Sequence, residues 1–242
     1  MNFGEMRTQV RLLLGETDSS NSYYTDTEID AQINLSNLRV ASEVPVLFTY
    51  KEEISVGDQV SYGLPTDCMQ VKDLQVYTTG TTRRWSLVKK DYDDWEYIVA
   101  GNFSMTGEPH YYKVEFGATS TTAGSPPGDV WLYPIPPGTT YTIRIVYYQK
   151  PTALSADAAV SELPEYLHPA VVYHAAWHIG LKDSSNSKVS TLAAMYQNQI
   201  KEGKMTALKS DRSGPTFAKS AYGATSLDRG RGNRRVRRGR LK

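Results

Sequence analysis

Tyr24-Thr25-Asp26-Thr27-Glu28-Ile29 (residues 24–29) carries a complete helix-start signal. Thr25 and Glu28 stand at capping-box spacing, where the hydroxyl and the carboxylate each satisfy a backbone N–H that the first helical turn leaves without a partner. Tyr24 and Ile29 occupy the flanking staple positions. Ile29, Ile33, Leu35, Leu38, Val40 and Ala41 then predict a helix to about Glu43, stopped before Pro45. Beyond it the period changes from 3.6 to 2. Ile54/Val56, Val71/Leu74/Val76, Trp85/Leu87, Tyr112/Val114/Phe116, Val130/Leu132 and Ile143/Ile145/Tyr147 read as short strands. Gly57-Asp58, Leu64-Pro65, Gly80, Gly107-Glu108-Pro109, the 117–129 stretch and Pro134 to Gly138 break them up. Six to eight strands at this spacing predict an antiparallel sandwich or barrel-like sheet. Residues 89–97 read as a short helix or turn within it.

Helical spacing flanks this region on both sides. Upstream, Phe3, Met6, Val10, Leu13 and Leu14 line one helix face, Gly15 is placed to end it, and Glu16 to Tyr24 is a polar loop. Downstream, Pro164 and Pro169 frame a helix start. Val171 to Leu181 is apolar nearly all round, which predicts a central helix. Asp183 to Ser187 leads to a last amphipathic helix through Leu192, Met195, Tyr196 and Ile200. From Ser210 the periodicity stops. Phe217, Tyr222 and Leu227 recur every five residues in a Gly/Ser/Ala background that cannot form a core of its own. The expected fold class is α+β. Helix pairs at the two ends close into one helical bundle (1–45 and 160–209), because neither pair buries its apolar face alone. An antiparallel β-sandwich or barrel-like domain is inserted between them (46–152), and an extended basic C-terminal arm follows (210–242).

The net charge of +1 hides a split. Arg229, Arg231, Arg234, Arg235, Arg237, Arg238, Arg240 and Lys242 place 8 of the 27 basic residues in the last 14 positions, with Asp228 the only acid nearby. Residues 1–226 hold 19 basic and 25 acidic residues, a net of about −6 against a tail of about +7. Such an end suits a negatively charged partner. It fits phosphates on nucleic acid, read without sequence preference, or an acidic protein surface met by guanidinium forks, or a solubilising end with no fixed partner. The spaced anchors Phe217, Tyr222 and Leu227 favour a protein partner, since an arm that only tracks phosphates has less need of side chains that enter pockets.

At 40% hydrophobic residues the chain can bury a real core, and no apolar run approaches the roughly 20 residues of a membrane span. Met1-Asn2-Phe3-Gly4-Glu5-Met6-Arg7 lacks the layout of a signal peptide. Cys68, the one cysteine, leaves no internal disulfide and fits a reducing compartment. Tyr is enriched, 17 against 5 Phe, which suits half-buried sheets and subunit interfaces alike.

Sites of chemistry are sparse. His174 and His178 stand four apart, the spacing of two metal ligands on one helix face, but no Glu follows His174 and their surroundings are hydrophobic. They read as satisfied core or interface histidines. His168 and His110 sit beside prolines with no evident partner. Asp91-Tyr92-Asp93-Asp94-Trp95-Glu96 holds paired carboxylates, but consecutive acids read as a solvated face or helix start rather than two groups across a cleft. Ser184-Ser185-Asn186-Ser187 and Thr119 to Thr122 are loop chemistry. There is no Gly-x-Gly-x-x-Gly, P-loop or Gly-x-Ser-x-Gly. No enzyme, no cofactor and no metal is expected.

Several segments in order resemble a known family. Gly4-Glu5-Met6-Arg7, Leu12-Leu13, Tyr24-Thr25-Asp26, Glu28-Ile29 and Ile33-Asn34 are similar to the opening of head–tail connector adaptor proteins of tailed bacteriophages. So is Tyr62-Gly63-Leu64-Pro65-Thr66-Asp67 leading into a strand. Gly107-Glu108-Pro109-His110-Tyr111-Tyr112 and Trp131-Leu132-Tyr133-Pro134-Ile135-Pro136 resemble the family's middle, and Leu163-Pro164-Glu165-Tyr166-Leu167-His168-Pro169 its closing bundle. The resemblance implies a structural virion protein at the head–tail junction, present in the host cytoplasm before assembly. It implies a ring, usually of twelve copies, beneath the portal protein ring at the capsid vertex. Such a ring forms part of the DNA channel and presents a platform to a tail or nozzle protein. It further implies a C-terminal extension gripping the portal, a role that fits 210–242. The arginine run leaves open whether it meets portal acids or packaged DNA. The 117–129 loop is read either as a tail-facing or lateral contact or as a plain hairpin tip. The rivals are a nucleic-acid-binding protein acting through its Arg/Gly tail, a β-rich nozzle or tube subunit, and, more distantly, a hydrolase. No membrane partner is expected.

Overall fold

The computed structural model describes residues 1–16, 23–81, 84–117, 127–182 and 188–212. Met1–Gly203 forms one unit; of the second, Lys204–Lys242, the described residues are the end of a helix up to Arg212.

The first unit begins with α1 (Phe3–Leu14) and α2 (Asp26–Glu43). Both start on capping boxes. Asn2 and Glu5 serve α1, a box absent from the sequence reading, and Thr25 and Glu28 serve α2 as expected. Gly15 closes α1 at φ 86°, a left-handed conformation that glycine adopts without steric cost. Phe3, Met6 and Val10 are buried, as are the staple residues Tyr24 and Ile29. In α2 the inward face differs from expectation. Ser36 and Asn37 are buried and Leu35 is exposed, because the face is set by polar partners across the bundle.

Among the described residues the β region contains eight strands in two sheets. β1 (Phe48–Ile54), β3 (Cys68–Thr78), β4 (Arg84–Ser86) and β8 (Tyr141–Gln149) form the first, in the order β1-β8-β3-β4. β2 (Ser61–Gly63), β5 (Val88–Lys89), β6 (Tyr111–Phe116) and β7 (Gly128–Tyr133) form the second, in the order β2-β7-β6-β5. All pairings are antiparallel except β5 with β6. One core joins the sheets: Val71, Leu74, Val76, Ile143, Ile145 and Tyr147 from the first, and Tyr62, Tyr112, Val130 and Leu132 from the second. Two apolar layers facing each other make a sandwich. β1 begins earlier than the Ile54/Val56 reading, and both of those residues are exposed, as is Phe116. Leu87 lies just past β4 and is buried.

A third layer covers the second sheet. α3 (Tyr92–Val99) lays Trp95 and Val99 on Tyr133, beside Tyr111 and Trp131. Tyr111 and Tyr133 are register partners, as are Lys113 and Trp131, so these four project away from the sandwich core. Lys113 is almost buried there. Its ammonium lies 5.0 Å from the Tyr92 ring and 5.5 Å from the Trp95 and Trp131 rings, and it pairs with Glu115.

After a short 3₁₀ turn (Glu165–Leu167), α4 (His168–Gly180) carries proline in its first turn and is buried nearly all round, packing on both α1 and α2. α5 (Val189–Arg212) buries Leu192, Tyr196 and Ile200, while Met195 is exposed. Arg7 bridges α1 to α2 with an Nε–Asp30 distance of 2.7 Å and also reaches Asp157 at 3.0 Å.

Gly128, at the start of β7, has no room for a side chain. A Cβ there would run into the Glu115 carbonyl oxygen and the Phe116 Cα of the paired strand, both backbone. Gly128→Ala is expected to cost about 1–3 kcal/mol, the range for overpacking. Gly117→Ala, with nothing within 4 Å, serves as the neutral control. Thermal unfolding of the two variants beside the parent checks the difference.

Candidate assembly surfaces

Three surface features of the first unit follow from this layout. The first is a groove of about 350 Å³ between α2, α4 and α5, lined among others by Arg39, Glu43, His174, Trp177, His178 and Tyr196. The two histidines expected on one face are there, with ring centroids 4.3 Å apart. Tyr196 lies 4.8 Å from His174 and stacks with Trp177 at 6.1 Å. His174 is only 5% exposed, and its Nδ1 is 2.9 Å from Ser36 Oγ. The Ser36 hydroxyl donates its single hydrogen to the Gln32 carbonyl at 2.6 Å, so His174 Nδ1 is the donor in that contact. His174 is thus a satisfied bundle histidine. Burial, then the neighbouring His178 and Arg39, push it down to about 4. Burial, then the Glu43 carboxylate beside it, push the Tyr196 phenol well above the ordinary range. Among the described residues no group of three His, Cys, Asp or Glu is placed to hold a metal ion.

His168 has partners that its sequence context did not suggest. It is buried, with Nε2 2.9 Å from the Leu163 carbonyl and Nδ1 3.0 Å from the Met1 amino group. His110 lies edge-on to Tyr111 at 6.4 Å.

The second feature is the outer face of the first sheet. Phe48, Tyr50, Glu52 and Ile54 of β1 stand opposite Tyr148, Val146, Arg144 and Thr142 of β8, and directly opposed residues share a face. Phe48 is 61% exposed and Tyr50 56%. Cations lie over these rings: Lys72 at 4.4 Å from Phe48 and 5.6 Å from Tyr148, Arg144 at 4.1 Å from Tyr50, and Arg84 at 5.3 Å from Tyr77. Arg144 also pairs with Glu52, holding that carboxyl below its ordinary range, and Asp73 accepts from Gln75 and Ser86. Among the described residues Lys72 and Arg84 form no direct ion pair. Sequence reading missed this face because single alternating runs do not reveal which rows become neighbours.

The third is the outside of α3. Asp91 precedes the helix and Asp93 and Asp94 fall in its first turn, where carboxylates favour the positive end of the helix dipole. The acidic run is therefore a helix start with a solvated face, as expected. Tyr97 is 85% exposed and Tyr92 63%. Lys90 pairs with Asp94 at 3.3 Å, while Asp91, Asp93 and Glu96 form no ion pair among the described residues.

The arm residues Phe217, Tyr222, Leu227, Arg229, Arg231, Arg234, Arg235, Arg237, Arg238, Arg240 and Lys242 lie outside the described residues. So do Thr119 to Thr122 with most of the 117–129 loop, and Ser184 to Ser187. No described helix is long and apolar enough to cross a membrane.

The depressed His174 has a measurable consequence. The folded protein holds this ring neutral, so between pH 6.5 and about 4 the unfolded chain binds a proton that the folded one refuses. Stability attributable to His174, about 3 kcal/mol at most, is lost as pH falls through that window. In His174→Gln the fall in thermal midpoint from pH 7 to 4 is expected to be shallower than in the parent. Parallel melting curves across that range check it.

A family model described as the SU10 adaptor protein matches residues 1–219 of the chain. No curated protein matches it.

Proposed function

We propose, since the chain belongs to the SU10 adaptor protein family, that it works as a structural adaptor of a tailed phage, set between portal and tail. The family match along residues 1–219 carries this reading, and it agrees with the order of motifs in the sequence. In this reading copies of the chain form a ring, a dodecamer, under the portal protein ring at the capsid vertex. The ring continues the DNA channel and offers a platform to a tail or nozzle protein. The helical segments 1–45 and 160–209 act as the bundle, 46–152 as the β insert, and 210–242 as the arm that grips the portal.

The arm's composition supports that assignment. Fixing backbone costs about 1–2 kcal/mol per residue, so a bound arm needs apolar anchors and charge pairs together. Phe217, Tyr222 and Leu227 supply the first and the arginines the second. Many copies on a symmetric partner then support one another by avidity. The function is one of assembly, and chemistry at a single site is not part of it. The arginine run also favours a second reading, binding of packaged DNA by the tail.

Single-particle mass measurement of the chain with its own virus's portal ring separates the two. Full-length protein is expected to add about a dozen subunits to the portal, and protein truncated after Lys209 none. Replacing the seven tail arginines with Gln is expected to weaken portal binding; unchanged binding removes the electrostatic part. Salt-sensitive DNA binding without portal binding moves the function to the nucleic-acid reading.

A further inference from the structure

The two exposed faces of the β region lie on opposite sides of one layered body. The order is the outer face of the first sheet, the first sheet, the shared core, the second sheet, then α3. One outer surface presents Phe48, Tyr50 and Ile54 with Lys72 and Arg84, cations outside any direct ion pair among the described residues. The other presents Tyr92 and Tyr97 with Asp91, Asp93 and Glu96, acids likewise outside any ion pair among the described residues. We propose that these faces bind each other between copies: the Phe48/Tyr50/Lys72/Arg84 face of one subunit docks on the α3 face, Tyr92/Tyr97/Asp93/Glu96, of the next.

Charge decides the pairing. The α3 face against itself sets acid against acid, and the sheet face, where Arg144 and Glu52 offset each other and Lys72 and Arg84 outnumber the one further acid Asp73, sets an excess of cation against the same excess, whereas the two unlike faces are complementary. Both carry large aromatic side chains of the kind that anchor interfaces, and both keep polar or charged tips that tolerate water before contact. Residues stacked under cations, such as Phe48 under Lys72, are held in place before docking, which lowers the ordering cost of binding. Because the two faces are different and lie on opposite sides, the contact is head-to-tail. Head-to-tail contacts propagate and close into a ring when the rotation per subunit allows. The contact between two copies stands on the exposed faces alone; only its closure into a ring rests on the adaptor reading.

The test uses full-length chains with one added cysteine, Tyr50→Cys or Tyr97→Cys. Native Cys68 is buried, and burial pushes its thiol up to about 11, so it competes poorly for a thiol-reactive crosslinker. With a short bismaleimide, an equal mixture of the two variants is expected to give the heterodimer, linked from position 50 to position 97, in excess of either homodimer. Mass spectrometry of the crosslinked peptides reads the yields. A chain carrying both added cysteines is expected to give a ladder. Adding Asp93→Lys and Glu96→Lys to the Tyr97→Cys chain is expected to cut the heterodimer roughly tenfold, as for loss of close interfacial charge pairs. Adding Lys72→Glu and Arg84→Glu to its partner is expected to restore it. Homodimers in equal or greater yield, no crosslink above background, or no restoration by the reversed pair each overturn the inference. Portal binding by the same variants is followed in parallel. Crosslinking without portal binding leaves this interface standing and removes the adaptor reading, while portal binding without crosslinking does the reverse.

Discussion

Burial of Ile143, Ile145 and Tyr147 in a core shared with Val130, Leu132 and Tyr112 is the interaction on which the rest of the β region depends. β8 runs between β1 and β3, so its inward residues fix the sandwich while its outward residues, Arg144, Val146 and Tyr148, fix what the first sheet shows to solvent. A slip of one residue in this strand would exchange the two sets. Tyr147 marks how tightly the inner set is held. It is nearly buried, its hydroxyl donates to the Asp67 carboxylate at 3.1 Å, and burial with that neighbour pushes it up to about 12. The second sheet covers its outer face with α3. The first leaves its outer face open, and that asymmetry gives the body two chemically different sides.

The helical part is organised by polar contacts as much as by apolar ones. Asn34 accepts from the Leu154 backbone N–H at 2.7 Å and donates to its carbonyl at 3.0 Å, and Ser161 donates to Asn37 at 2.7 Å. His174 donates to Ser36 in the same region. These bonds commit one side of α2 to the 154–161 segment and α4. A buried polar group left without its partner costs about 1–3 kcal/mol, so they specify the rotation of α2 more sharply than an apolar stripe would. Leu35 is displaced to the surface as a result.

That displacement shows where the sequence could be read and where it could not. The Thr25/Glu28 box, the Gly15 stop, the period change and the all-round apolar α4 are local signals, and each appears in the structure where its spacing put it. The inward side of α2 is not local, because Ser36 and Asn37 become core only once His174 and Ser161 arrive from more than 120 residues away. β1 was obscured for a related reason. As an edge strand with Phe48, Tyr50 and Ile54 turned outward, it reverses the usual apolar-inside pattern, so only its end, at Ile54 and Val56, read as a short strand. The acids of 91–96 were legible as a helix start, yet nothing local says that a cation–aromatic face stands on the far side of the same body.

The tyrosine excess now has a physical account that composition left open. Tyr62, Tyr112 and Tyr147 lie in the sandwich core, and Tyr24 and Tyr196 are buried in the helical part. Tyr50, Tyr92 and Tyr97 stand on the open faces. The same side chain suits both because its ring contributes area and its hydroxyl accepts water or a partner. Replacing the exposed ones by Phe or Leu would keep the contact area but present it as an apolar patch to every other protein before assembly. Phe48 and Ile54 lack such a polar tip on the sheet face, and Lys72 lies over the Phe48 ring. The contact proposed between copies needs faces that are large, tolerant of water before contact and selective by charge. Aromatic rings with polar tips or overlying cations, set opposite a face of the other sign, meet those three requirements together.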